Sequence, residues 1–376
     1  MQKALETLTA GSRLLLDMLW RNGPLSRAQL AGLTGFTRAA VTHMADDLIG
    51  RGLLLEQPAE KGRRGQPARP LALRGAMGYA IGINFSTTYA EVGFVDFAGK
   101  LLDRAAFAIP APTPEQIGMR AVAEIERLIK RHGLARAQLI GLGVAVPTDF
   151  NTQGVAIAHR FFPEIAGPGL AGRFSASLGM PVVVENDGRS AAIGERLLGI
   201  GSAYRTFMLV HLGHGVGGGL VIDGAPFRGA LGNAGILGQY YPYGQPRPSG
   251  TDLLETLQAD GFPATDFDWL ENAPEACRPL VESWVQRAAA QLSPELARIS
   301  RFFGPEAVIL AGRLPPATLG ALAAAIDFSA ILRPLDELPI TPLRASELGA
   351  AAGVIGAAAV PILNALMPGI PVNGKS

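Results

Sequence analysis

Apolar positions in the first 75 residues recur at helical spacing and then change to strand spacing. Leu14, Leu15, Met18 and Leu19 form one stripe, which predicts a helix from Gly11 to Asn22 closed by Gly23-Pro24. Ser26 followed by Gln29 spells a capping box, and Leu25 before it can staple onto Leu30, so a second helix starts there. Gly35 in "TGF" supplies a turn residue free to take positive φ. Thr37 then caps a third helix that turns Val41, Ala45 and Leu48 to one face. After Gly52, "LLLE" reads as a strand; "EKGRRGQPARPLAL" (60–73) reads as a turn, with Arg63 and Arg64 at its tip, and a second strand. Helix, turn, helix and a two-stranded wing together predict a winged helix-turn-helix over residues 1–75.

From Tyr79 the period becomes two. "YAIGINFSTTYAEVGFVDFAGKLL" (79–102) reads as strand, polar turn, strand, Gly-Lys turn and strand, and "RTFMLVHLGHGVGGGLVIDGAPFRGA" (205–230) repeats that grammar. Two such meanders, each followed by helical material, predict a duplicated α/β body with a central cleft. Its halves are expected at 76–200 and 201–376, with the last helix able to pack back on the first half. Three more strands fall where they would line the cleft, in "LIGLGVAVPTDF" (139–150), "MPVVVENDGRSAAIGERL" (180–197) and "PEAVILAGRL" (305–314). Polar residues just past a strand's C-terminal end are well placed to meet a ligand, which singles out Asn186 and Asp187. Capping of the helix that follows is the other use open to them. The most apolar run (348–367) is rich in Ala and Gly and carries a Pro, so it is read as a packed helix rather than a membrane span.

Charge sharpens this picture. The 376 residues carry a formal +1, but residues 1–75 hold 11 Lys/Arg against 6 Asp/Glu and the remainder 22 against 26. A basic front unit suits a polyanion, and the near-neutral body does not need one. Arg38, Ala39, Thr42 and His43 lie on the free face of the third helix near its start, where side chains reach base edges in the major groove. Ser26, Arg27 and Thr37 at the two helix starts complete that set, and Arg63 and Arg64 would meet phosphates or the minor groove. The single cysteine, Cys277, excludes an internal disulfide and a multi-cysteine zinc site, and the first 20 residues lack the order of a signal peptide. A cytoplasmic protein without a membrane partner is the expectation.

These motifs, in this order, resemble the ROK family of repressors, open reading frames and sugar kinases, whose fold is actin-like and ribonuclease-H-like. The likeness runs from "SRAQLAGLTGFTRAAVTHMADDLIGRGLL" through "GRRGQP", "IGIN", "VAVP", "VENDGRSAAIGE", "HGVGGGLVIDGAPFRGALGNAGILG" and "VILAGRL" to "LGAAAGVIGAA". The front unit is similar to the xylose and N-acetylglucosamine repressor branch.

The departures bear on function. Where kinases of this family carry a phosphate loop resembling Asp-x-Gly-Gly-Thr, this chain has "NFSTT", with Asn84 for the acid and Phe85-Ser86 for the glycines. The second loop, "GHGVGGG" (213–219), stays glycine-rich, which close packing also explains. Asp187 matches the family's catalytic aspartate; without a donor loop its expected use is to hydrogen-bond an effector hydroxyl. Ile236 stands where the family's sugar-binding glutamate would be, Gln239 where its histidine would be, and every zinc cysteine is missing, so no metal is expected. "RFFPE" (160–164), Tyr240, Tyr241 and Tyr243 add apolar surface nearby, and strand alternation puts His211 and His214 on opposite faces.

The resemblance thus implies a transcription regulator, a repressor and no enzyme, needing no cofactor. It would act as a homodimer or a dimer of dimers on a palindromic operator in double-stranded DNA. Asn186, Asp187, Ile236 and Gln239 would hold a small effector, a sugar or sugar derivative. A sugar kinase that retains a DNA-binding module, and a constitutive DNA-binding dimer without effector, are the alternatives.

Overall fold

The chain is described here from a computed structural model, over residues 1–58, 69–328 and 339–366. A five-residue helix that the apolar pattern does not announce, α1 (Gln2–Glu6), precedes α2 (Ala10–Asn22). Two further helices, α3 (Arg27–Thr34) and α4 (Arg38–Gly50), begin at Ser26 and Thr37, whose hydroxyls accept from the amides of Gln29 and Ala40. Each such cap is worth about 1 kcal/mol. Gly35 closes α3 at φ 73°, the left-handed region in which a Cβ is costly. The wing is the antiparallel pair β1 (Leu54–Glu56) and β2 (Leu71–Leu73), and Leu25 bonds to Leu71 through both backbone groups.

The body opens with β3 (Tyr79–Phe85), β4 (Tyr89–Asp96) and β5 (Leu101–Ala108), then α5 (Pro114–His132), β6 (Leu139–Val146), α6 (Leu170–Leu178), β7 (Val182–Asn186) and α7 (Asp187–Leu198). The second half repeats the order with β8 (Phe207–Leu212), β9 (Val216–Ile222), β10 (Ala225–Phe227), α8 (Gly250–Ala259), α9 (Phe267–Glu271) and α10 (Arg278–Phe303). It ends with β11 (Ala307–Gly312), α11 (Pro316–Ala325), β12 (Leu343–Ala345) and α12 (Ala351–Leu366). The two sheets have strand orders β5-β4-β3-β6-β7 and β10-β9-β8-β11-β12. In both, the central strand pairs antiparallel with the second strand of the meander and parallel with the next strand, to which the last strand adds in parallel, so the duplication read from the sequence is a duplication of topology.

Helices α7 and α12 pack on each other between the sheets. A Cβ on Gly143 would overlap the Ala357 carbonyl, one on Gly194 the Ala352 carbonyl, and one on Gly356 the Ser190 carbonyl. The Ala/Gly-rich 348–367 run therefore serves backbone-to-backbone approach, and α12 lies on the first sheet. Among the described residues no helix is long and apolar enough to cross a membrane.

The apolar core does not stop at the end of the winged helix unit. Leu5, Leu8, Leu15, Leu16 and Leu19 share one cluster with Val354, Ile355, Ile362, Leu363 and Leu366 of α12 and with Val95 and Phe97 of the first sheet. This second contact widens the buried face of α2 beyond the stripe read from the sequence: Leu16 and Trp20 are buried and Leu14 is only partly so. Arg13 donates to the Ala365 carbonyl and Arg196 to the Arg21 carbonyl across the same seam.

Candidate effector cavity and DNA-facing surface

Both parallel strands of the first half end at one cavity of about 380 Å³, within the range of small-molecule sites. Thr148 and Asp149 follow β6; Asn186 ends β7 and Asp187 begins α7; His211, His214 and the 215–217 backbone come from β8 and β9; Gln239, Tyr241, Tyr243 and Arg247 close it. Asn186 caps α7 and also lines the cavity. Its Oδ1 accepts from the Arg189 amide at 3.1 Å, capping α7, and its Nδ2 donates to Thr148 O at 3.1 Å and Asp149 Oδ1 at 3.2 Å. Asp187 accepts from the Gly188 amide at 2.8 Å and lies 3.7 Å from His211 Nε2.

Asp149 was not singled out by sequence, although it too follows a strand's end. Burial, aided by the Asp187 charge, pushes its carboxyl up to about 6 against the opposing pull of Arg189. Beneath the cavity the buried Glu185 accepts from Arg189 Nε at 2.7 Å and from Arg228 Nε at 3.0 Å. Burial alone would raise its pKa, and the two guanidiniums outweigh that and hold it below the usual carboxylate range. Arg189 also donates to Gly232 O at 2.6 Å, which ties the 228–232 loop to the start of α7.

Two readings need correction. His211 and His214 do not part to opposite faces: β8 ends at Leu212, alternation lapses in the turn, and both rings line the cavity. Burial lowers the pKa of both, that of His214 to about 3; its Nε2 lies 2.9 Å from Ser86 Oγ. Ile236 is not among the lining residues. Gly235 packs against Gly219 at φ 90°, and the turn Gly238–Tyr240 that follows brings Gln239 to the cavity instead. Of the aromatic residues named from sequence, Tyr241 and Tyr243 line this cavity, Phe161 a neighbouring one, Phe162 is buried in the first core and Tyr240 is exposed.

The first loop is filled. Phe85 packs on Phe162 and Phe174, Asn84 donates to Ala350 O at 3.4 Å, and Arg313 donates to Phe85 O at 2.7 Å and to the Tyr89 hydroxyl. Two glycines of the second loop have packing work: a Cβ on Gly218 would overlap Gly235 O, and one on Gly219 would crowd Gly188 O and the Ala192 side chain. Among the described residues no group of three His, Cys, Asp or Glu could hold a metal ion.

On the winged helix unit, Arg38, Ala39, Thr42 and His43 are all exposed on α4. The Thr42 hydroxyl bonds back to Arg38 O at 2.9 Å, and Ser26 and Thr37 are engaged as caps. Arg27 is committed to Glu56 at 2.6 Å and Asp46 at 2.9 Å, so it braces α3 to β1 and α4 rather than standing free for a phosphate. Arg63 and Arg64 lie outside the described residues.

The chain thus joins a winged helix unit to a duplicated, actin-like α/β body. The ROK family's sequence pattern matches residues 80–251. An uncharacterized protein, y4fQ of Sinorhizobium fredii, is 37% identical over 99% of this chain and 95% of its own length. This chain belongs to the ROK family. The xylose repressor of Bacillus spizizenii is 25% identical over 60% of this chain and 59% of its own length. Among solved structures, a ROK family transcriptional regulator described as a homolog of the E. coli MLC protein superposes with TM-score 0.64 at 22% identity, over 94% of this chain and 95% of that one, which shows the fold. A ROK family glucokinase from Streptomyces griseus, solved with glucose and AMPPNP, shares the body with TM-score 0.58 at 23% identity, over 75% of this chain and 99% of that one.

Proposed function

We propose that the chain is a DNA-binding transcription regulator, a repressor acting in the cytoplasm, whose body binds a sugar or sugar derivative. The observation that carries this is an exposed α4 face on a unit whose apolar core runs on into α12 and Ile193 of α7, the helix whose first residue, Asp187, lines the cavity. Residues 1–75 would read DNA, and 76–200 and 201–376 would form the two walls of the effector cleft. A ligand that prefers one arrangement of the walls would shift the fraction of molecules whose α4 helices fit successive major grooves. Palindromic readout calls for a homodimer. Asp149, Asn186, Asp187 and Gln239 supply acceptors and donors for hydroxyl groups, and the likeness to a xylose repressor supports a carbohydrate.

Footprinting on DNA upstream of its own gene, with and without a monosaccharide panel, tests the reading. A two-fold protected site that one sugar relieves is the expected result; protection that no ligand changes would favour a constitutive dimer. Arg38→Ala should cost about 1–3 kcal/mol at the specific site and leave random DNA little affected. Equal losses on both would remove α4 from base readout.

A sugar kinase is the second reading, favoured by the retained Asp187 with His211 beside it and by the glucokinase likeness. The buried Phe85 at the first loop weighs against it. ATP-dependent phosphorylation of a hexose, abolished by Asp187→Asn, would establish that reading in place of ours.

A further inference from the structure

Arg247 stands between the cavity described above and a second one of about 280 Å³, and it lines both. Its residue is only 7% exposed. Few groups in the chain satisfy its guanidinium: Nη2 reaches Gly238 O at 3.3 Å, Cζ lies 4.0 Å from the Tyr243 ring centroid, and Nε has no hydrogen-bond partner among the described residues. Two acids line the second cavity with it: Glu255 is exposed to solvent and forms no ion pair with Arg247 among the described residues, and Asp252 does not neutralise it either. That carboxylate is occupied by Arg287, by Trp284 Nε1 at 2.8 Å and by the Arg247 backbone amide at 3.0 Å. A buried cation without an anion is expensive, so its position facing two cavities calls for a negative partner that arrives with the ligand.

The second cavity adds another guanidinium. Arg160 lines it, stacked 5.4 Å from the Phe161 ring, and makes no ion pair among the described residues. The start of α8 is not the attracting feature, because the amides of Gly250 and Thr251 already bond Gly213 O at 2.9 and 3.3 Å.

We propose that the effector is anionic: its hydroxylated part occupies the first cavity, and a carboxylate or phosphate ester docks on Arg247, with Arg160 beyond it. This rests on the effector reading above and names the effector's class. Arginine's planar donors match both groups, and charge-assisted bonds in a partly desolvated site strengthen them.

Calorimetric titration of the full chain with matched trios provides the test: glucose, glucuronate and glucose 6-phosphate, and the corresponding galactose and mannose sets. In at least one trio a charged member should bind about tenfold or more tightly than its neutral parent. Arg247→Gln should erase that preference, bringing the charged members to within about twofold of the parent sugar measured on the same variant. Arg160→Gln should reduce it in part. The uronate and phosphate arms tell which anion is meant. A neutral sugar that binds as well as both charged relatives would overturn the anionic effector and leave the sugar-binding reading intact. A preference that survives Arg247→Gln would reduce Arg247 to a plug holding the 238–247 turn. Saturable binding by no member of any trio would overturn both readings. If Arg247→Gln does not fold, the wild-type preference and Arg160→Gln still decide.

Discussion

Asp149 lines the cavity just past the end of β6 and Glu185, near the end of β7, lies buried beneath it, yet their surroundings drive them apart. Asp149 has no cation of its own and sits beside Asp187, and its carboxyl titrates near 6. Because the folded state holds this proton more tightly than the unfolded chain, the stabilisation is complete below about pH 4 and is lost as pH rises through about 6. Asp149→Asn should therefore be more stable than the parent by about 1–2 kcal/mol at pH 7.5 and indistinguishable from it at pH 4, as read by thermal melts at the two pH values. Glu185 has the opposite sign. Its depressed pKa contributes stability above the ordinary carboxylate range that disappears as pH falls through the folded value. Glu185→Gln leaves Arg189 and Arg228 buried without their anion, at an expected cost of about 3–5 kcal/mol in urea unfolding.

Among the elements, α12 is the one whose sequence misleads most easily. Its mean composition is apolar enough to suggest a membrane, while its small residues are there because carbonyls of neighbouring segments come within contact of its backbone and of the glycines that face it. Gly356→Ala should lower stability by about 1–3 kcal/mol, because Ser190 O is a backbone atom and α7 would have to move as a unit. Gly320 in α11 provides the control: nothing lies near its missing Cβ, so Gly320→Ala should be neutral or stabilising by about 0.5–1 kcal/mol. Equal effects of the two in chemical denaturation would mean that the α7–α12 approach is looser than described. The same logic accounts for Gly218 and Gly219 of β9, which lie against Gly235 and Gly188.

At the scale of the molecule, the seam between the winged helix unit and the body is built like an interior. Leu16 and Leu19 belong to the same buried cluster as Ile362, Leu363, Val95 and Phe97, and Arg13 and Arg196 hydrogen-bond to backbone carbonyls across the same seam. Units joined this way unfold together. Hydrogen exchange of amides in α4 and in β3 should collapse at the same urea concentration, and Leu16→Ala should lower both by the same free energy, about 2–5 kcal/mol. Loss of α4 protection well before β3 would show an independent front unit and would remove the rigid route by which the proposed effector cavity could influence DNA readout.

Much of this was written locally along the chain. Capping residues at Ser26 and Thr37, the period of two in each meander and the repeat of the meander needed only short-range rules, because caps, turns and strand alternation depend on neighbours a few residues away. That Asn186, Asp187 and Gln239 line the cavity was legible too, because strand ends and family motifs mark them. The tertiary structure alone decided what depends on distant partners: that Arg27 is consumed by Asp46 and Glu56, that Asp149 shares the cavity, that both histidines face it and Ile236 does not. It alone also decided that Arg247 is buried with no ion pair among the described residues, since burial and charge balance are properties of everything packed around a side chain.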